Sequence, residues 1–123
     1  MPVLELPSRR PFVLAGCGAL LAAAAIGLSA YASHGIADAQ AQSQVTTAAL
    51  YAFGHGIALA ALGRLPGDGV TRVALCGLLL GTLLFSGSLV GGALWHASMR
   101  LAPVGGMTLM AAWAVYALAA LRR

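Results

Sequence analysis

The fold is decided by residues 73–95, which read VALCGLLLGTLLFSGSLVGGALW and contain no charged side chain. An α-helix rises ~1.5 Å per residue, so about 20 apolar residues cross the ~30 Å hydrocarbon core of a bilayer. Lipid offers no hydrogen-bond partners, so a crossing segment must pair its backbone groups within a helix or a closed barrel. The run lacks the two-residue alternation of barrel strands. It predicts a transmembrane helix.

Three more apolar runs of similar length lie at residues 12–31, 45–62 and 103–121. The turn sequence Pro66-Gly67-Asp68-Gly69 precedes the run at 73–95. Pro103 opens the last run, where the missing N–H of a proline costs nothing. Short connections favour antiparallel neighbours. The sequence therefore predicts an all-α integral membrane protein, whose single domain of residues 1–123 is an up-down bundle of four transmembrane helices.

The composition excludes a soluble domain and a nucleic-acid-binding protein. Apolar residues make up 60% of the chain and charged residues 8%, whereas soluble proteins carry about 25% charged residues. The chain has no lysine, and its seven arginines stand near the ends of apolar runs. It has no basic stripe with interleaved aromatic residues. We expect membrane lipids as partners, and no nucleic acid.

The arginines also predict the orientation. Four crossings place both termini and the middle loop on one side of the membrane, and that side holds six arginines: Arg9, Arg10, Arg64, Arg72, Arg122 and Arg123. The other side holds Arg100. Cytoplasmic loops carry the excess of positive residues. We expect a multi-pass protein with both termini in the cytoplasm.

The stretch SRRPFVLAGC, residues 8–17, also resembles sorting signals. Its serine, paired arginines and phenylalanine match a twin-arginine export signal, and its last four letters resemble a lipoprotein cleavage box. Its apolar segment before the cysteine is too short for the 7–15 residues of a signal peptide. A cleavable signal could end at Ala30-Tyr31-Ala32, but three more apolar runs follow. We interpret the arginines as the anchor of the first helix.

Polar side chains inside the runs form a candidate intramembrane cluster of Tyr51, His55, Ser86 and Ser88. Tyr51 and His55 are four residues apart and share one helix face. His55 lies ~12 Å from the cytoplasmic end of its helix. An ionisable residue at that depth indicates function by default. A neutral histidine hydrogen-bonded to a neighbouring helix explains the same pattern, so both interpretations stay open.

Glycine spacing predicts where helices pack closely. The third run contains two GxxxG pairs, Gly77 with Gly81 and Gly87 with Gly91. Gly56 continues a stripe of small residues in the second run. Small side chains let helix backbones approach in a membrane. We therefore predict these five glycines at helix contacts.

Nothing in the sequence indicates catalysis, a metal or a cofactor. The carboxylates of Glu5, Asp38 and Asp68 lie outside the runs. His55 lies deep in its run, whereas His34 and His96 stand at the outer boundary. Cys17 and Cys76 lie within apolar runs in no metal-binding spacing, and we expect them to be small buried side chains.

A candidate lipid-headgroup site comprises Arg100, Gly105 and Gly106. The glycines follow Pro103 at the start of the fourth run, where free backbone N–H groups favour anions. Arg100 stands just before them at the outer boundary. An ordinary helix start with an exposed arginine is the alternative.

Four stretches together resemble a known family: residues 29–35, residues 50–59, Phe85-Ser86-Gly87-Ser88-Leu89, and Pro103-Val104-Gly105-Gly106 with Trp113 following. The set is similar to the family numbered 423 among domains of unknown function, which includes small bacterial inner-membrane proteins and eukaryotic transmembrane protein 256. The resemblance implies four helices and a bacterial inner membrane. It implies no activity, so function is open.

Three functions fit these observations. The first, which we prefer, is a non-enzymatic structural or accessory subunit that associates with a larger membrane complex or with itself. The second is a small-solute or ion transporter or channel, assembled as an oligomer. The third is a lipid- or quinone-binding membrane protein.

Overall fold

The computed structural model describes residues 12–122, so the predictions that concern residues 8–11 and Arg123 lie outside the described part. Four α-helices follow one another: α1 Val13–Gly35, α2 Ala39–Leu62, α3 Gly69–Trp95 and α4 Leu101–Leu121. Each is long and apolar enough to cross a membrane. No strand occurs between residues 12 and 122. The predicted all-α class with four spanning helices is confirmed.

Two helices begin ahead of their apolar runs because aspartates cap them. The side chain of Asp38 accepts a 2.8 Å hydrogen bond from the N–H of Ala41, and α2 therefore begins at Ala39 rather than at Val45. Asp68 accepts a 2.9 Å bond from the N–H of Thr71 at the start of α3. A carboxylate in this position satisfies backbone donors that have no partner within the helix. Hydropathy therefore underestimates the lengths of α2 and α3.

Helix α3 ends at a residue in the left-handed conformation. His96 has φ 54° and ψ 28°, a region that non-glycine residues adopt at a cost. The N–H of Ala97 then donates to the carbonyl of Gly91 at 3.2 Å, which gives one of the last carbonyls of the helix a partner. This sharp stop directs the chain into α4.

The helices lie in a row in chain order. Helix α1 packs along α2, α2 along α3, and α3 along α4, while α1 only touches α3 and its backbone makes no contact with α4. A cluster of buried side chains forms the core: Leu59, Leu75, Leu78, Leu109 and Ala112. We call the end with residues 12, 63–68 and 122 the terminal end, and the end with residues 36–38 and 96–100 the loop end. The row leaves α1 and α4 as its outer helices.

Large apolar side chains cover much of the outer surface, among them Leu20, Leu50, Leu80, Met110 and Leu118. Such a surface suits a hydrocarbon solvent. Cys76 is exposed on this surface and Cys17 is half-buried, so the expectation that both are buried is wrong. A thiol can face lipid as an apolar group, which removes the need for a protein partner.

Candidate functional site

Both ring nitrogens of His55 are hydrogen-bonded. The indole Nε1 of Trp113, on α4, lies 3.1 Å from Nε2 of His55. An indole N–H can only donate, so Nε2 accepts and the imidazole proton is on Nδ1. Nδ1 lies 2.8 Å from the carbonyl of Tyr51, one turn earlier in α2, and donates to it. This arrangement holds a neutral histidine.

His55 belongs to a chain of aromatic rings that joins three helices. Ring centroids lie 4.5 Å apart for Phe85 and Tyr51, 6.1 Å for Tyr51 and His55, and 6.0 Å for His55 and Trp113. Tyr116 continues the chain at 5.9 Å from Trp113. We call these five residues the aromatic cluster. Because the backbones of α2 and α4 are not in contact, the cluster links these two helices through side chains.

The aromatic cluster lies on the surface of the helix row. Tyr51 is 40% exposed and Trp113 is 38% exposed. Tyr51 and Trp113 lie on helices long and apolar enough to cross a membrane. Because their rings are on the outer surface, they face lipid or another membrane protein rather than an internal channel. Aromatic pairs with centroids this close stabilise by about 0.5–1.5 kcal/mol beyond the burial of area.

The predicted serines do not join Tyr51 and His55. Ser86 is buried and its hydroxyl donates to the carbonyl of Ala48 on α2 at 2.8 Å. The hydroxyl of Ser88 is buried and has no hydrogen-bond partner among residues 12–122. Of the four residues of the predicted polar cluster, Tyr51 and His55 are therefore in contact, whereas Ser86 fastens α3 to α2 at Ala48.

Glycines lie at the closest helix contacts. A Cβ added to Gly56 would lie 2.7 Å from the carbonyl oxygen of Gly18, so α1 and α2 meet backbone to backbone. A Cβ added to Gly81 would lie 3.0 Å from the backbone nitrogen of Leu109, and one on Gly77 would lie 3.0 Å from the Cβ of Ala112. Both therefore lie where α3 meets α4.

The second predicted pair, Gly87 and Gly91, does not lie at a close helix contact as Gly77 and Gly81 do. An added Cβ on Gly87 would meet nothing within 4 Å, and one on Gly91 would lie 3.6 Å from the Cβ of Ala97, an ordinary contact. Gly87 follows Gly81 by six residues, which turns it by about 120° away from the face that meets α4. A GxxxG spacing places two glycines on one face, but that face need not meet a helix.

The candidate headgroup residues are not brought together. A Cβ on Gly105 would collide with the backbone of Phe85, so Gly105 is enclosed between α3 and α4. Arg100 is exposed at the loop end, where its N–H lies 3.4 Å from the hydroxyl of Ser98. Gly106 is half-buried beside the ring of Phe85. A headgroup held by Arg100 would therefore find Gly105 covered by α3.

Sequence reasoning missed Phe85, Trp113, Tyr116 and Gly18 as contact residues. Trp113 and Tyr116 are three residues apart and therefore share a face of α4, which is a readable signal. That this face meets His55 depends on the order of the helices. Within residues 12–122 no three histidine, cysteine or acidic side chains are close enough to hold a metal ion.

Comparison with known proteins gives one consistent result. The family model described as protein of unknown function (DUF423) matches residues 28–106. A UPF0382 membrane protein of Staphylococcus epidermidis is 32% identical over 112 residues, which covers 85% of this chain and 92% of that protein. A UPF0382 membrane protein of the yeast Schizosaccharomyces pombe is 33% identical over 107 residues, covering 78% and 91%. No solved structure shows significant similarity. The chain therefore belongs to the DUF423 family of membrane proteins, as its sequence motifs predict.

Proposed function

We propose that this protein is a non-enzymatic structural subunit of the bacterial inner membrane. It has both termini in the cytoplasm and associates through α1 with a larger membrane complex or with a second copy of itself. The observation that carries the proposal is the outer face of α1. This face consists of exposed small residues spaced three or four apart: Gly16, Ala19, Ala23, Gly27 and Ala30.

The outer face of α1 is suited to another helix. At about 100° per residue its five members lie within about 80° of one another, which makes a continuous strip along the helix. Added Cβ atoms on Gly16 and Gly27 would meet nothing within 4 Å. Small residues are enriched at helix contacts in membranes because they allow close backbone approach. Inside the protein, Gly18 and Gly56 form such a contact.

The internal polar groups support a structural role. The imidazole of His55 has both nitrogens bonded to Tyr51 and Trp113, and the hydroxyl of Ser86 is bonded to Ala48. A transport path needs polar groups that a solute can reach. The bonds from Trp113 to His55 and from Ser86 to Ala48 join different helices instead, and the bond to Tyr51 stays within α2. We therefore retain transport and quinone binding only as alternatives, because no observed contact favours them.

The proposal is tested by measuring the assembly size in native-lipid nanodiscs. The change is Gly27→Leu, which places a bulky side chain in the outer face of α1 without meeting any group within the protein. We expect the wild type to migrate above the 12.4 kDa monomer and the variant to shift to a smaller assembly.

Gly87→Leu is the matched control, because Gly87 on α3 also has nothing within 4 Å of an added Cβ. It should leave the assembly size and the melting temperature unchanged. A wild type that is a lone monomer in nanodiscs contradicts the proposal, as does an equal loss of assembly in both variants.

A further inference from the structure

The terminal end has an excess of positive charge. Among residues 12–122 it carries the guanidinium groups of Arg64, Arg72 and Arg122 and one carboxylate, that of Asp68. The loop end carries Arg100 and Asp38, whose charges balance. Only the terminal end therefore attracts anions at the membrane boundary.

Two of the three guanidinium groups have partners. Nη2 of Arg122 lies 4.0 Å from Oδ2 of Asp68, and Cζ of Arg64 lies 5.5 Å from the centre of the Phe12 ring. Asp68 also accepts hydrogen bonds from the N–H and the hydroxyl of Thr71. Arg72 is exposed and forms no ion pair within the described residues. The contacts of Asp68 to Arg122 and Thr71 reduce its repulsion of an anion near Arg72.

Arg72 lines a cleft of about 160 Å³ between the start of α1, the turn after α2 and the start of α3. Apolar side chains, including Leu14 and Leu75, line the same cleft. Leu75 is buried and lies about one turn further into the membrane than the exposed Arg72. The cleft is therefore apolar at depth. Toward the boundary it holds the guanidinium of Arg72 and the carboxylate of Asp68, which is engaged by Arg122 and Thr71.

We infer that this cleft binds the headgroup of an anionic glycerophospholipid, which we name the terminal lipid site. The guanidinium of Arg72 contacts the phosphate, since its planar fork matches phosphate oxygens in a bidentate manner. Arg64 adds a second positive charge from beside the cleft, where it lies over the ring of the lining residue Phe12. Leu14 and Leu75 contact the first carbons of the acyl chains. This apolar part favours a lipid over a free anion, and the site differs from the Arg100 region predicted from the sequence.

The test compares two variants that each remove one positive charge, Arg72→Gln at the terminal lipid site and Arg100→Gln at the loop end. Native mass spectrometry of the full-length protein in neutral detergent gives the affinity for phosphatidylglycerol and for phosphatidylcholine. The wild type should prefer phosphatidylglycerol. A basic side chain near an anionic lipid strengthens the binding of that lipid. Arg72→Gln should therefore weaken the affinity for phosphatidylglycerol about fivefold. Arg100→Gln should leave it unchanged.

Two further measurements keep the inference testable. If Arg72→Gln lowers the helix content, Arg64→Gln replaces it, with a smaller loss expected because Arg64 lies over Phe12. Millimolar inorganic phosphate should not displace the lipid. Equal loss in the two variants at positions 72 and 100, equal affinity for both lipids, or displacement by inorganic phosphate would each overturn the inference.

Discussion

The two outer helices of the row, α1 and α4, are held in different ways. Each packs its backbone along one neighbour through glycines, α1 on α2 at Gly18 and α4 on α3 at Gly105. Helix α4 is also bound to α2 through the hydrogen bond between Trp113 and His55. The polar groups in the middle of the membrane thus fasten α4, whereas within residues 12–122 no side-chain hydrogen bond fastens α1 at that depth.

The exposed faces of the two helices differ as well. On α4 large side chains face outward, with Met107, Met110 and Leu118 about 60% exposed or more (59%, 68% and 62%). Flexible apolar side chains of this kind suit contact with lipid tails. On α1 the exposed side chains of Leu20 and Ile26 (73% and 63%) stand on either side of the outer face, whose glycines and alanines allow a helix to approach between them. On this difference rests our proposal that α4 contacts lipid and α1 contacts protein.

The largest effect on stability should follow from adding a side chain at an internal glycine. Gly105→Val places side-chain atoms against the backbone of Phe85, and we expect it to lower the free energy of unfolding by about 3 kcal/mol, the upper part of the range for overpacking. Gly27→Val, on the outer face of α1, should change it by less than about 0.5 kcal/mol, as surface substitutions do. Thermal unfolding in detergent measures both. Similar destabilisation by the two variants would contradict the claim that Gly105 is enclosed between helices whereas Gly27 lies on an exposed face.

An intermediate effect should follow from breaking the link to α4. Trp113→Phe removes the indole N–H and leaves Nε2 of His55 unpaired, and His55→Phe removes the acceptor. A double-mutant cycle of the two should give a coupling free energy of about 1 kcal/mol, within the range for hydrogen bonds between membrane helices. Thermal unfolding supplies the four stabilities. A coupling near zero would mean that α4 is held by its packing on α3 alone.

The smallest effect concerns the turn that leads into α4. His96 adopts positive φ, whereas glycine does so without strain. His96→Gly should therefore raise the free energy of unfolding by about 0.5 kcal/mol, because the relief of strain is partly offset by the greater entropy of glycine in the unfolded chain. A β-branched residue tolerates this conformation poorly, so His96→Val should lower it. If both substitutions destabilise equally, the imidazole of His96 has a contact that matters more than its backbone.

The sequence predicts the spans well because hydropathy reports directly where hydrocarbon can surround a helix. It predicts helix ends less well, since residues 39–44 are polar yet helical behind the cap of Asp38. Hydropathy marks the end of the apolar run, whereas the backbone hydrogen bonds and the cap determine the end of the helix.

For a related reason, the sequence predicts only part of the candidate site. The four-residue spacing places Tyr51 and His55 on one face, and they are in ring contact. The spacing within one helix cannot reveal which helix lies opposite, so it predicts neither the contact of His55 with Trp113 nor that of Ser86 with Ala48. In the same way, the GxxxG spacing of Gly87 does not show whether a helix packs against its face. Periodicity fixes faces, while the order of helices in the row fixes neighbours.

Site-specific photo-crosslinking in native membranes tests the central claim most directly. A photoreactive amino acid at Ala23 samples the outer face of α1, and the same amino acid at Cys76 samples an exposed position on α3. We predict protein adducts from position 23 and lipid adducts from position 76. Adducts to lipid alone at both positions would contradict the claim that α1 is the association face.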